Sequence, residues 1–221
     1  MCGRFTLRAR LNRLLQEFAA EAQSEFDYSP CFNICPTTNV PVIRQTDGGR
    51  EVTQMQWGFI PSWVKEIGFA PINAVSEKVS VSAMFRSAIK KRRCLVPADG
   101  FYEWQKVGGK KVKGDAPWLF EVGGKPFAFA GIWERWNELE SCAILTTGPN
   151  ELMAPIHHRL PVILSPNDYE AWLDPTTNDP EKLTYLYEPF PANDMTMVRV
   201  SNYVNTVKNQ GEQCVAPLGQ R

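Results

Sequence analysis

The cysteine at position 2 offers the most unusual chemistry in this sequence. The chain begins Met1-Cys2-Gly3-Arg4, and removal of Met1 would place a free α-amine and a thiol on neighbouring carbon atoms. An α-amine titrates at about 7.7–8.0, against about 10.4 for lysine, so far more of it is unprotonated at neutral pH. Such an amine can form a Schiff base with an aldehyde, and the thiol can then close a five-membered thiazolidine. A small second residue is also common for reasons of translation and processing, so position alone leaves both explanations open.

Three other segments carry side chains that could exchange protons or hydrogen bonds with this nucleophile. Glu103 lies in an aromatic, strand-like run, where a desolvated carboxylate has a raised pKa suited to acid–base work. It could equally be an exposed strand glutamate. His157 and His158 are the two histidines of the chain, so a histidine that transfers protons must be one of them. Asn73 could orient a nucleophile or a sugar, or it could form a turn.

An aromatic segment rich in glycine and proline is a candidate surface for nucleic-acid bases. Residues 56–65 read QWGFIPSWVK and place Trp57, Phe59 and Trp63 around Gly58 and Pro61. Aromatic side chains in such loops can stack on unpaired bases. They can also pack as a satellite of the core, and the sequence does not choose between the two.

Five segments together resemble the motifs of the SRAP family, whose members are SOS-response-associated peptidases and process abasic sites. The segments are MCGRF, WGFIPSW, INAVSE, RCLVPADGFYEW and IHHRLPVIL, in that order from residue 2 to about residue 164. Each alone is weak, but five in order with cysteine at position 2 are specific. The resemblance implies the SRAP fold and a protein that protects abasic sites during the DNA damage response. It would crosslink covalently to ring-opened abasic sites in single-stranded DNA through a thiazolidine, with lyase-like activity, after peptidase-type processing that removes Met1.

The resemblance also implies a role for each residue that could do chemistry. Cys2 is the nucleophile, and Asn73 positions the cysteine or the sugar. Glu103 is the acid or base for sugar-ring opening and attack, and His157 shuttles protons around the Schiff base. His158 occupies the variable position of the motif and has no implied catalytic role. We expect no cofactor, and we expect no metal site because the chain has no C-x-x-C pair and only two histidines, which are adjacent.

The same comparison of motifs implies a set of DNA contacts. The expected phosphate contacts are Arg4, Arg86 and Arg159, and the expected stacking wall is Trp57, Phe59 and Pro61. Val75 stands where family members usually carry arginine, so one further phosphate contact of the family is not expected here. We expect the partner to be single-stranded DNA that contains abasic sites, and the protein to act as a monomer.

Composition and charge narrow the class of protein. The 221 residues are 43% hydrophobic with a net charge of +0, which suits one sizeable domain and disfavours a protein that coats duplex DNA. Basic residues concentrate at 86–94 and 106–114, although lysine runs often only solvate a surface. No apolar run is long enough to cross a bilayer, and residues 8–18 are charged and periodic, unlike a signal core. We expect an intracellular, cytoplasmic protein, associated with the nucleoid during repair if it is bacterial, without disulfides.

The hydrophobic pattern predicts the elements that must position these residues. Apolar residues at helical spacing predict a helix over roughly residues 8–22, and 81–92 predicts a second, with Ala83, Met84 and Ile89 facing inward. Residues 150–158 and 166–174 predict short helices, 39–59 predicts two strands around a Gly-rich turn, and 94–147 and 195–201 predict further strands. We therefore expect one α+β domain over residues 1–221, with a mixed or antiparallel barrel-like sheet core flanked by several short helices.

Two other functions remain as alternatives. Cys2 with His157 could form the nucleophile and base of a thiol peptidase that acts on itself or on other proteins. Alternatively, the chain could be a non-catalytic module that binds single-stranded DNA, in which Cys2 is incidental. Equal affinity for intact and abasic strands would favour the binding module.

Overall fold

A computed structural model describes residues 2–23, 26–107, 110–111 and 115–219. The strands of the described chain are β1 Phe5–Leu7, β2 Ala20–Ala22, β3 Cys31–Ile34, β4 Asn39–Thr46, β5 Gly49–Trp57, β6 Asn73–Val75, β7 Arg93–Ala98, β8 Gly100–Glu103, β9 Lys106–Val107, β10 Lys110–Lys111, β11 Trp118–Val122, β12 Phe127–Trp136, β13 Leu139–Thr147, β14 Leu160–Pro161, β15 Ile163–Leu164 and β16 Met195–Arg199. The α-helices are α1 Leu11–Phe18, α2 Ala88–Lys91 and α3 Tyr169–Leu173. Single-turn and longer 3-10 helices cover Ser76–Lys78, Pro166–Asp168, Pro180–Tyr187, Ala192–Asp194, Asn202–Asn205 and Glu212–Cys214.

One sheet closes on itself. Its strands follow the order β13-β12-β7-β4-β5, and β5 then pairs in parallel with β13 through Gln56 and Trp57. Strands β2, β6, β14 and β15 extend the ring at its margins. This arrangement confirms the predicted α+β fold with a mixed, barrel-like sheet and short helices.

A second sheet covers the barrel and holds the N-terminal strand in its interior. Its order is β16-β11-β8-β1-β3 with antiparallel pairing throughout. Phe5 of β1 joins the two sheets, because its ring contacts Trp57 of β5 at 5.0 Å and Phe129 of β12 at 5.8 Å between centroids. Large aromatic side chains contribute much of the packing energy of such a core. Strand β1 is therefore an interior strand, paired with β8 on one side and β3 on the other.

The first predicted helix is too long at both ends. Helix α1 ends at Phe18 because Ala19 adopts a left-handed conformation (φ 46°), and its backbone N–H closes onto the carbonyls of Gln16 and Leu15. Residues 20–22 then form β2, which pairs in parallel with β5. Leu14 and Phe18, at helical spacing, form the buried face of α1 as predicted, but the apolar pattern does not indicate this cap.

Two other predicted helices are also shorter or absent, whereas the predicted strands are confirmed. In 81–92 only Ala88–Lys91 is α-helical, and Ala83, predicted to face inward, is exposed. Residues 150–158 form successive turns instead of a helix. The helix predicted at 166–174 is present as a 3-10 turn at Pro166–Asp168 that continues into α3. The strand pair at 39–59, the strands between 94 and 147 and the late strand at 195–199 are present. Part of the basic stretch 106–114 lies outside the described residues.

A buried arginine joins two helix ends to the barrel. Arg93 of β7 donates from Nε to the Trp172 carbonyl at 2.6 Å and from Nη2 to the Asp174 carbonyl. Its Nη1 donates to the carbonyls of Ile89 and Lys90 at 2.8 and 2.9 Å. These acceptors lie at the C-terminal ends of α2 and α3, where carbonyls lack partners within the helix. Arg93 thus stabilises the fold, even though it belongs to a basic run.

Candidate active site

Cys2 is fully buried and lies three residues before β1, an interior strand of the second sheet. Asp99 fixes that strand, because its carboxylate accepts hydrogen bonds from Thr6 Oγ1, from the Arg8 backbone N–H, and from the Ala9 N–H at 3.0 Å. The Tyr102 N–H donates to the Arg4 carbonyl at 2.9 Å and continues the pairing of β1 with β8 toward Cys2. These bonds fix the backbone that follows Cys2, and a nucleophile requires such a fixed position.

Asn73 contacts Cys2 directly. Its Nδ2 donates to the Cys2 carbonyl at 2.8 Å across 71 residues of sequence, and Asn73 itself is 92% buried. The other side of the amide, Oδ1, is buried and accepts no hydrogen bond from the described residues. Strand β6, which starts at Asn73, is held by parallel pairing with β13. The site therefore contains one buried acceptor that a substrate or a new amine could occupy.

Glu103 lies close enough to Cys2 to act on its thiol. Pairing of Phe5 with Phe101 and of Thr6 with Gly100, when continued, brings Glu103 level with Gly3, and Glu103 is buried. Burial raises the pKa of the Cys2 thiol to about 12, and the negative charge of Glu103 adds to that shift. The thiol is consequently protonated at neutral pH, as expected for a buried thiol beside a carboxylate.

His157 is buried and its ring is fixed by the backbone. The backbone N–H of His157 donates to the Met153 carbonyl at 2.9 Å. The ring Nδ1 accepts a hydrogen bond from the Arg159 backbone N–H at 3.0 Å. The ring stacks on His158 at 4.4 Å between centroids, and His158 is exposed. Gln105 donates to the Pro155 carbonyl at 3.2 Å. This bond ties the turn before His157 to the segment that follows Glu103.

The three residues of the predicted stacking wall are buried in this structure. Trp57 and Phe59 are fully buried, and Pro61 is buried beside them. Trp57 donates from Nε1 to the Ile72 carbonyl at 2.9 Å, and Phe59 packs edge-on against Phe85 at 5.2 Å. A ring with no exposed face cannot stack on a base. Their burial favours the alternative that these side chains belong to the core.

Three apolar side chains outside the predicted stacking wall are exposed in the loop that follows it. Trp63 is 65% exposed, Phe69 is 87% exposed, and Ile67 lies between them with about half of its surface exposed. The order of residues around the prolines gave no means of telling Trp63 from Trp57. The contact of Trp57 with Phe5 of β1 and its hydrogen bond to the Ile72 carbonyl distinguish it from Trp63.

The three predicted phosphate contacts differ in how far they are available. Arg4 turns inward, donating from Nη1 to Asn33 Oδ1 at 2.7 Å and to the Val204 carbonyl at 2.8 Å. Arg159 forms a two-pronged ion pair with Glu77, at 2.6 Å from Nη1 and 2.8 Å from Nη2. Arg86 is exposed. The arrangement thus assigns two of these arginines to internal contacts in the described structure.

Metal binding and membrane insertion find no support in the described ranges. Within them, no group of three or more His, Cys, Asp or Glu side chains could hold a metal ion. No described helix is long and apolar enough to cross a membrane.

Comparisons with known proteins agree on the kind of protein this chain resembles. Residues 1–207 match the family model described as SOS response associated peptidase (SRAP). The chain is 37% identical to the abasic site processing protein YoqW of Bacillus subtilis, over 97% of this chain and 99% of that one. It is 29% identical to the abasic site processing protein YedK of Escherichia coli, over 99% and 100%. A crystal structure of a Bacteroides thetaiotaomicron protein superposes with a TM-score of 0.83 at 26% identity, covering 97% and 98% of the two chains.

Proposed function

The chain belongs to the SOS response associated peptidase (SRAP) family, and on that premise we propose that it captures abasic sites in single-stranded DNA through a covalent bond to Cys2. The names of its relatives support abasic DNA as the substrate. The observation that carries the proposal is the buried Cys2, held at 2.8 Å by Asn73 beside the charge of Glu103.

The proposed reaction forms two bonds to one carbon and needs no oxidant or reductant. The α-amine of the mature Cys2 adds to the C1′ aldehyde of a ring-opened deoxyribose, and loss of one water gives an imine. The Cys2 S–H then adds across the C=N bond, with sulfur bonding to C1′ and the proton passing to nitrogen. The product is a thiazolidine. Hydrolysis of the Met1–Cys2 peptide bond, which consumes one water, must come first, because an amide nitrogen is not nucleophilic.

The raised thiol pKa favours attack by the amine before attack by sulfur. Burial disfavours the Cys2 thiolate, with a pKa of about 12 in the chain that retains Met1, whereas an ordinary α-amine titrates at about 7.7–8.0. Once the amine has formed an iminium, its positive charge stabilises the thiolate beside it and promotes ring closure.

The raised pKa of the Cys2 thiol also argues against a general thiol peptidase. Cysteine peptidases lower the pKa of their nucleophile with an adjacent positive charge, whereas here burial and Glu103 raise it. We therefore restrict the peptidase chemistry to removal of Met1.

Asn73, Glu103 and His157 have separate roles in the proposed reaction. Asn73 Nδ2 holds the Cys2 main chain, and its unoccupied Oδ1 accepts a hydrogen bond from the mature amine or from a sugar hydroxyl. Glu103, buried near the thiol, takes the proton released during attack by the amine and returns it to the departing water. His157 exchanges a hydrogen bond with the sugar oxygen during ring opening.

We propose that the strand runs past exposed groups rather than the buried aromatic residues. Trp63 and Phe69 present faces on which unpaired bases can stack. Arg86, with the exposed Lys90 and Lys91, offers positive charge for phosphates. Unpaired bases are accessible for such stacking only in a single strand, which supports single-stranded DNA as the partner.

A denaturing gel tests this function. Wild-type protein freed of Met1 should give a slow-migrating species with an abasic single-stranded oligonucleotide and none with the intact strand of the same sequence. Cys2→Ala should abolish that species, and Cys31→Ala, which removes a partly exposed thiol elsewhere, should retain it. The same species from Cys2→Ala would overturn the proposal. Equal affinity of the wild type for both strands, without a covalent species, would favour the binding module.

A further inference from the structure

Glu77 and Arg159 form an ion pair between two segments that carry proposed catalytic residues. Arg159 donates from Nη1 and Nη2 to the two Glu77 oxygens at 2.6 and 2.8 Å, and its side chain is only 15% exposed. Its Nη2 also donates to the Thr146 carbonyl. Glu77 follows β6, whose first residue is Asn73, and Arg159 lies two residues after His157. The pair thus ties the Asn73 segment to the His157 segment.

The backbone of Arg159 determines which nitrogen of His157 carries the proton. Its N–H donates to His157 Nδ1 at 3.0 Å, so Nδ1 acts as an acceptor. The neutral imidazole then carries its proton on Nε2. A proton on Nδ1 would point toward another N–H and would break this bond.

We propose that Glu77 is a positioning residue, which holds the Arg159 guanidinium so that the Arg159 backbone N–H keeps the His157 proton on Nε2. The inference rests on the proposed function, in which His157 meets the sugar as a hydrogen-bond donor. It assigns the Arg159 side chain a structural task in place of the phosphate contact expected from the family motif.

The charges around the ring are compatible with this role. The Arg159 hydrogen bonds lower the pKa of the Glu77 carboxyl to about 2, so the pair stays ionised at neutral and mildly acidic pH. The contacts of the His157 ring include the stacked His158 ring and the Arg159 backbone N–H. Thr146, whose carbonyl also accepts from Arg159, pairs with Pro161 of β14. The loop that follows His157 is therefore held at both of its ends.

Nitrogen-15 NMR of the histidine rings tests the proposal directly, and the chain has only two histidines to assign. In mature wild type, His157 should show an unprotonated Nδ1 and a protonated Nε2. In Glu77→Ala, the chemical shifts of both ring nitrogens should move toward values averaged between the two tautomers. Glu77→Gln retains an oxygen that accepts from Arg159 and should restore most of the wild-type pattern. Glu181→Ala is the matched control, because Glu181 lines the same cavity of about 290 Å³ and is hydrogen-bonded through its backbone.

Single-turnover crosslinking supplies the second readout. With saturating abasic strand, Glu77→Ala should react about 10-fold more slowly, because a misplaced donor loses much of its catalytic contribution. Its affinity for the intact strand should not fall. Thermal unfolding of the same sample establishes that the variant is folded. A wild-type ring pattern and a wild-type rate in folded Glu77→Ala would overturn the proposal, as would weaker binding of the intact strand with the ring pattern unchanged. If wild type forms no crosslink, the proposed function fails, and the ring pattern still tests the role of Glu77.

Discussion

The protonated state of the Cys2 thiol gives a prediction that can be measured without DNA. Burial and the charge of Glu103 raise its pKa to about 12, whereas an ordinary thiol titrates at about 8.5. At pH 7.5 an ordinary cysteine is roughly 10% thiolate, and Cys2 would be roughly three parts in 100,000 thiolate. Because the thiolate is the form that is alkylated, Cys2 should react with iodoacetamide about three thousand times more slowly on this ground alone.

The assay follows alkylation by peptide mass spectrometry between pH 7 and 10, on protein whose intact mass still includes Met1. A raised pKa keeps the thiol protonated up to a pH near 12, so the rate at Cys2 should rise about 10-fold per pH unit with no plateau. Poor access to a buried sulfur lowers the rate equally at every pH and does not create or remove a plateau. Cys31, which is partly exposed, serves as the internal reference.

Glu103→Gln separates the two causes of the shift. Removal of the charge should lower the Cys2 pKa and speed its alkylation at each pH, while the contribution of burial, which is the larger cause, remains. An alkylation rate that levels off between pH 8 and 9 in the wild type would show that the pKa of the Cys2 thiol is not raised. It would also contradict the proposed order of attack. An unchanged rate in Glu103→Gln would show that the carboxylate does not act on the thiol.

Three further predictions concern the site, the DNA surface and the fold. Asn73→Ala should slow crosslinking about 10- to 100-fold, because one buried hydrogen bond is lost and a carbonyl is left unpaired; a rate equal to wild type in single-turnover assays would contradict its role. Trp63→Ala and Phe69→Ala should each weaken binding of an intact single strand by about 1–3 kcal/mol in fluorescence titrations, without lowering the melting temperature. Trp57→Ala should instead destabilise the protein by about 3–5 kcal/mol, and equal effects on binding from all three would contradict the assignment. Arg93→Met should lower the free energy of unfolding, measured in urea, by about 3 kcal/mol, because it leaves buried carbonyls unpaired. A change below the error of the titration would contradict the stabilising role of Arg93.

The strands were predictable from sequence because their signals are local. The turn at Asp47-Gly48-Gly49 separates two alternating apolar runs, and these become β4 and β5. The end of α1 was not predictable, because it depends on an alanine in a left-handed conformation, where glycine is the usual residue. Closure of the barrel through β5 and β13 joins residues about 85 positions apart, and no local pattern specifies such a pairing.

The residue types of the candidate site were visible in the sequence, but their contacts were not. Asn73 and Glu103 were identified as partners for Cys2, and both lie where they can act on it. Trp57 and Trp63 occupy similar local sequences and were not distinguished, because burial of Trp57 depends on packing against Phe5 from another sheet. The ion pair of Arg159 with Glu77 was also not predicted, because no local sequence pattern indicates an ion pair across 82 residues.

Intact mass spectrometry shows directly whether the mature Cys2 captures an abasic site covalently. Before DNA is added, the mass should equal that of the chain without Met1. After incubation with an abasic single strand, the mass should increase by that of the oligonucleotide less one water, as imine formation followed by ring closure requires. Peptide mapping should then place the added mass on Cys2. An unchanged mass in protein that lacks Met1, or an added mass on a residue other than Cys2, would contradict the account.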